Sequence, residues 1–231
     1  MALFSGAAAE FWLRYVHYFF GILWIGHLYY FNFSQTPFMA EADAATKSQI
    51  FQKLTTRTMF WFRWGAMFTF ISGWLMIGYK AGHQGIPLSS AWGTMILSGG
   101  ILGTLMFLNV WFIIWPRNKI AIENAVRVAK GESPIPGVAD LMARSAIGSR
   151  TNTLFSMPML FFMGAASHLP LSLSPDKSLV PYWSSFAIIV GLIQFNAIKG
   201  KMGPMQKLGM VVHFGLLLTL VLYLAMEFLA G

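Results

Sequence analysis

Long hydrophobic runs alternate along this chain with short polar stretches. Six runs stand out, at 11–33, 58–79, 92–115, 151–169, 182–198 and 208–229. Each is close to the ~20 residues an α-helix needs to cross a hydrocarbon core of about 30 Å. The pattern predicts an all-α integral membrane protein: one bundle of about six transmembrane helices forming a single domain over 1–231. No internal repeat, low-complexity tract or composition shift divides it. The first run is read as a retained anchor. MALFSGAAAE carries no basic n-region, and the run is too long and too aromatic for the apolar part of a signal peptide.

The polar stretches hold most of the charges, and their sign alternates. The first loop has Lys47, Lys53 and Arg57 against Glu41 and Asp43, and the fifth has Lys199, Lys201 and Lys207. The long third loop has Arg117, Lys119, Arg127, Lys130, Arg144 and Arg150 against Glu123, Glu132 and Asp140. The second and fourth carry little charge. Because basic loops stay on the cytoplasmic side, loops one, three and five are expected inside and both termini outside. Within the third loop, RNKIAIENAVRVAKG reads as an amphipathic helix ended by SPIPG. A cytoplasmic segment at about 116–137 is therefore expected at the anionic inner surface.

Composition sharpens this reading. Only 10% of residues are charged and 56% are hydrophobic, with a mean hydropathy of +0.60, whereas soluble domains carry about 25% charged residues. The formal charge of +8 is accounted for by the inner loops, so no nucleic-acid partner is expected. The expected setting is multi-pass in a bacterial inner membrane, with membrane lipid around it. The chain has no Cys, which removes disulfides, thiolate metal sites, iron–sulfur clusters and covalent c-type haem attachment.

Smaller signals refine the helices. Trp92, Trp111, Trp115, Trp183, Tyr79 and Tyr182 fall near the ends of the runs, where aromatic rings favour the headgroup zone. Gly99 and Gly103 form a G-x-x-x-G step suited to close helix approach. Pro158 predicts a kink in the fourth run.

Ionisable residues inside spans cost about 2.5–3.5 kcal/mol on insertion scales, so each asks for a partner or a purpose. They are Arg14, His17, His27, Arg63, His213 and Glu227, with His168 at the outer end of the fourth run. At ~1.5 Å per residue, His27 and His213 both lie ~8–10 Å from the cytoplasmic boundary, and Arg63 enters at a similar depth. His17 and His168 sit together toward the outside. Two imidazoles on different helices at one depth, an apolar cavity and a nearby Arg for a propionate are what a non-covalent b-type haem (heme b) requires. One or two such haems are expected, with His17, His27, His168 and His213 as iron ligands and Arg63 as a propionate partner. Other readings stay open: hydrogen bonding of each His to a neighbouring helix, a Cu or Zn site from His17, His83 and His168, and snorkelling of Arg63 to the inner interface.

The segments RYVHYFFGILWIGHLYYFNFSQTPF, NVWFIIWPRNK and SRTNTLFSMPMLFFMGAASHLP resemble the membrane domain that opens the bacterial cytochrome-c-linked urate oxidases, the urate hydroxylase PuuD family. The likeness covers roughly residues 10–170 well and the rest more loosely. Its most specific pieces are the Trp-Pro-basic end of the third run and the stretch from SRTN to His168. The His-x6-Trp-x-Gly element of His17, Trp24 and Gly26 also resembles the opening helix of protoporphyrinogen oxidases of the HemJ type. The resemblance implies a multi-helix inner-membrane domain engaged in redox chemistry, with His17 and His168 on the family's His positions. Full-length members continue into a periplasmic cytochrome c domain. This chain stops at Gly231 without a Cys, so a short form is expected that exchanges electrons with a separate partner, such as a cytochrome c or a larger redox complex.

Two functions are carried forward: a haem-binding membrane oxidoreductase component, and a non-catalytic accessory subunit packed against a larger respiratory or photosynthetic complex. A transporter would call for inverted repeats or broken helices at midplane, and no such pair is seen.

Overall fold

A computed structural model describes residues 8–231; residues 1–7, the start of MALFSGAAAE, lie outside it. Every regular element among the described residues is helical. The α-helices are α1 (Ala8–Tyr29), α2 (Thr36–Glu41), α3 (Ala44–Gln49), α4 (Thr56–Gly78), α5 (Ala91–Leu108), α6 (Trp115–Ala129), α7 (Val138–His168), α8 (Val180–Lys199) and α9 (Leu208–Ala230). Four π-helical turns, at Tyr30–Gln35, Ile50–Thr55, Tyr79–His83 and Asn109–Ile114, continue the helices they adjoin. They merge α1 with α2, α3 with α4 and α5 with α6. Six continuous helical rods result, at 8–41, 44–83, 91–129, 138–168, 180–199 and 208–230, one for each hydrophobic run.

Three rods, Ala91–Ala129, Val180–Lys199 and Leu208–Ala230, are long and apolar enough by themselves to cross a membrane. The others are long but more polar, and α7 shows why. It is the central helix, packed on α5, α6, α8 and α9, and Thr151, Asn152, Thr153 and Ser156 on it are buried beside Leu154 and Phe155. Its polar side chains face other helices. Asn109 Nδ2 donates to Asn152 Oδ1 at 2.9 Å and to Gln194 Oε1 at 3.0 Å, Gln194 Nε2 donates back to Asn109 Oδ1 at 2.6 Å, and Asn152 Nδ2 donates to the Met106 carbonyl at 2.9 Å. This network ties the third, fourth and fifth rods together, with amide pairs supplying the association that lipid does not drive.

The third loop is shorter than expected. Residues 138–150 are not loop but the first part of α7, entered through Gly137, whose φ of +75° suits a residue without a side chain. The run of small and polar residues there is a packing face: Ser145, Ile147, Gly148 and Arg150 are buried, and Asn118 Nδ2 donates to Ser145 Oγ at 2.8 Å. The amphipathic segment is helical as expected, but α6 prolongs the third rod and buries Asn118, Ala121 and Ala125, packing on α7 and on 50–55. Helix α7 runs on through Pro158.

Close helix approach is set by small residues. A Cβ on Gly99 would meet Met163 Cγ at 3.0 Å and the Met159 carbonyl at 3.2 Å, which realises the contact expected of the G-x-x-x-G step. A Cβ on Gly65 would meet the Trp24 backbone nitrogen at 3.0 Å, at the α1–α4 contact. One expected interfacial anchor is instead core: Tyr182 is fully buried and shares a hydrogen bond of 2.6 Å with Ser98 Oγ. Its hydroxyl is satisfied by α5, so its ring can leave the headgroup zone.

Replacing Gly99 by Val is expected to destabilise the bundle by about 1–3 kcal/mol, because the Met159 backbone cannot yield to an added side chain. Gly191→Ala on α8, where an added Cβ meets nothing within 4 Å, serves as the neutral control. Thermal unfolding of both variants in mild detergent checks this.

Candidate functional site

A cavity of about 640 Å³ opens between α1, α4, α5 and α7. Its volume lies within the ~300–1,000 Å³ of ligand and cofactor pockets. Apolar side chains form most of its wall, including Ile25, Phe70, Ile77, Met159 and Met163, and several faces are bare glycine: Gly21, Gly73, Gly100, Gly103 and Gly164. Glycine on four neighbouring helices leaves room for a flat guest to lie against backbone. Both His17 and His168 line this cavity, one from the first rod and one from the fourth.

His17 is held in a defined state. Its Nδ1 lies 3.0 Å from the Thr69 carbonyl and 3.2 Å from Ser72 Oγ. A carbonyl only accepts, so Nδ1 carries the proton and Nε2 keeps its lone pair. Metal-bound imidazoles are commonly oriented in this way, with the second ring nitrogen donating to a backbone carbonyl. Gly73 makes the arrangement possible, since a Cβ there would stand 2.9 Å from His17 Cε1. Thr69, Ser72 and Gly73 all lie on α4, so that helix positions a ring carried by α1. His168 ends α7; it is exposed and, among the described residues, has no hydrogen-bonding partner.

At the mouth, Arg14 and Lys80 line the cavity together with Trp92. Arg14 Nη2 and Lys80 Nζ reach the same oxygen, Glu10 Oε1, at 2.6 and 3.2 Å. Gln84 Nε2 donates to Glu10 Oε2 at 2.8 Å, and Lys80 Nζ stands 5.6 Å from the centre of the Trp92 ring. Trp92 is thus part of the cavity as well as a residue at a helix end.

The remaining expected site residues lie elsewhere. His27 donates from Nδ1 to the Leu23 carbonyl at 2.6 Å, and His213 from Nδ1 to the Gly209 carbonyl at 2.6 Å. Each thus binds its own helix one turn back, and neither lines the cavity. Helix α1 packs chiefly on α4, and α9 chiefly on α7, so the shared depth of His27 and His213 does not become a shared site. Arg63 is caged by tryptophans, with its guanidinium carbon 4.0 Å from the centre of the Trp115 ring, 5.9 Å from that of Trp111 and 5.8 Å from that of Trp64. That cage holds the charge by cation–π attraction, and Arg63 does not line the cavity. His83 is exposed and packs its ring on Tyr79 at 4.9 Å. Among the described residues no three His, Cys, Asp or Glu side chains converge as a metal site, so the set of His17, His83 and His168 is not assembled.

Sequence reasoning singled out neither Lys80 nor Gly73 for the site. Lys80 sat among loop charges, and Gly73 carries no chemistry of its own. Glu10, one residue before the first hydrophobic run, was equally silent. Its signal was its i, i+4 spacing to Arg14, which places both on one face of α1.

The family model described as urate oxidase N-terminal matches residues 81–225, a stretch that contains α5–α8, most of α9 and His168, while His17 lies outside it. No curated protein and no solved structure matches the chain. The matched stretch exceeds half the sequence, and the chain belongs to the urate oxidase N-terminal family.

Proposed function

We propose that this protein is a membrane redox component that holds one b-type haem between His17 and His168 and exchanges electrons with a separate protein partner. The observation that carries the reading is that these two imidazoles, from different rods, both line one largely apolar cavity. The fit rests on this chain's own donors. His17 presents an unprotonated Nε2 because Nδ1 is committed to the Thr69 carbonyl, and His168 is free of other partners. Gly164 leaves open space on one wall, and Ile, Phe and Met side chains make most of the remaining lining apolar. Two imidazoles without a thiolate suit haem iron of the bis-imidazole kind.

Bound there, a b-type haem supplies reversible one-electron chemistry. His17 and His168 would hold it, with the His17 ring oriented by its hydrogen bond to the Thr69 carbonyl on α4, and the Ile, Phe and Met side chains would surround its apolar body. In this reading all six rods cross the membrane with both termini outside, as the basic loops imply. The cavity then opens toward the outer face, where Arg14, Lys80 and Trp92 stand. That face suits a periplasmic electron partner such as a cytochrome c. Urate or a related oxidisable purine is the substrate class the family points to, acted on by the assembled enzyme.

Protein purified in mild detergent from haem-replete cells is expected to show a Soret band that shifts on dithionite reduction, with one haem per chain by pyridine haemochrome. His17→Ala and His168→Ala should each abolish it, while His27→Ala and His213→Ala retain it. A colourless protein from such cells would sink the reading in favour of an accessory subunit. Gly73→Ala should displace the His17 ring and lower haem occupancy or shift the reduction potential, with helix content by circular dichroism unchanged. Unchanged occupancy and potential in that variant would remove the positioning role of α4.

A further inference from the structure

We propose that Arg14 and Lys80 form a clamp at the cavity mouth for the carboxylates of the cavity's ligand, and that Glu10 fills this clamp until the ligand enters. The inference rests on the haem reading, which supplies a guest with two carboxylates on one edge.

The charges at the mouth carry the argument. Arg14 and Lys80 both line the cavity, and no Asp or Glu does. The carboxylate that meets them, Glu10, stands beside the cavity and not in its wall, reaching both cations through one oxygen. One carboxylate shared by two cations leaves the mouth with one positive charge in excess. A guest edge bearing two carboxylates matches the two cations one to one, with Glu10 released to Gln84 and to water. The alternative is a structural ion pair that only joins α1 to the Tyr79–His83 turn. Such a pair does not by itself account for both cations lining the cavity while their carboxylate partner stands outside its wall.

The position of the clamp agrees with that of the imidazoles. Arg14 precedes His17 by three residues, one turn toward the outer end of α1, and Lys80 follows α4 directly in the turn that ends the second rod. The polar edge of the guest therefore faces water while its apolar body lies between the glycine faces. Trp92, beside Lys80 at 5.6 Å, restrains the lysine by cation–π attraction and leaves its ammonium free to change carboxylate partners. Glu10 acts as an internal competitor, so entry of a guest without carboxylates gains nothing from breaking the ion pairs.

The test uses the full chain, stripped of haem in mild detergent and titrated with haemin and with haemin dimethyl ester, whose propionates are blocked. Site binding is read from the bis-imidazole Soret band that His17→Ala lacks, which separates it from partition into detergent. The wild type is expected to bind haemin at least about tenfold more tightly than the diester, the size of one charge-assisted hydrogen bond lost. Arg14→Ala combined with Lys80→Ala should erase that preference and leave affinity for the diester unchanged, which also shows that the cavity is intact. Glu10→Gln should raise the affinity for haemin alone. Equal affinity of the wild type for both porphyrins overturns the clamp and leaves the haem site standing. Absence of the Soret band with either porphyrin overturns the haem reading itself, and the clamp with it.

Discussion

Helices in a bilayer gain little from burying apolar surface against one another, because lipid tails already provide apolar surroundings; close packing and polar pairs must hold them together instead. The contact of α7 with its neighbours meets that constraint, and the rest of the structure depends on it. Gly99 on α5 lies against Met159 and Met163, Gly148 on α7 lies against Ile113 and Ile114, and Gly215 on α9 lies against Met157 and the Leu154 carbonyl. Where glycine lets backbones approach, the amide network of Asn109, Asn152 and Gln194 adds directional bonds between rods. The packing is therefore tight along α7 from Gly148 to Met163, and the helix ends at His168.

The cavity follows from the same rule applied differently. Where glycine faces a backbone, as at Gly65 and Gly99, the helices close; where glycine faces open space, as at Gly164, a slot remains. The first and second rods close at Gly65 and, about two turns further along α4, admit the His17 ring over Gly73. A helix pair locked at one level and spaced at the next forms a pocket without a break in either helix. The three tryptophans around Arg63 give this half-buried cation a π-face.

Particular residues show what was legible in advance. The six runs became six rods, and the G-x-x-x-G step became a contact, because both depend on local composition that any bundle of these helices must respect. The start of α7 was hidden by ARSAIGSR, which reads as loop until its Ser, Gly and Arg are seen to face other helices. Tyr182 reads as an interfacial anchor until Ser98 satisfies its hydroxyl. Depth along a helix paired His17 with His168, which line one cavity, and equally paired His27 with His213, which do not line it. Depth fixes one coordinate of a side chain and leaves open its direction around the axis and the identity of the neighbouring helix.

The amino-acid sequence by itself determined the helical class, the number of rods, the basic loops and the short roster of ionisable groups inside the runs, since each is written in hydropathy and charge over a window of about 20 residues. The tertiary structure alone decided that His17 and His168 share a wall while His27 and His213 do not. It also decided that Arg63 belongs to a tryptophan cage, and that Glu10 stands between Arg14 and Lys80. Those outcomes depend on which helices become neighbours and how each is rotated. Glycine contacts and amide pairs far apart in the chain set that choice, as Asn109 and Gln194 do across 85 positions, and no local pattern encodes it.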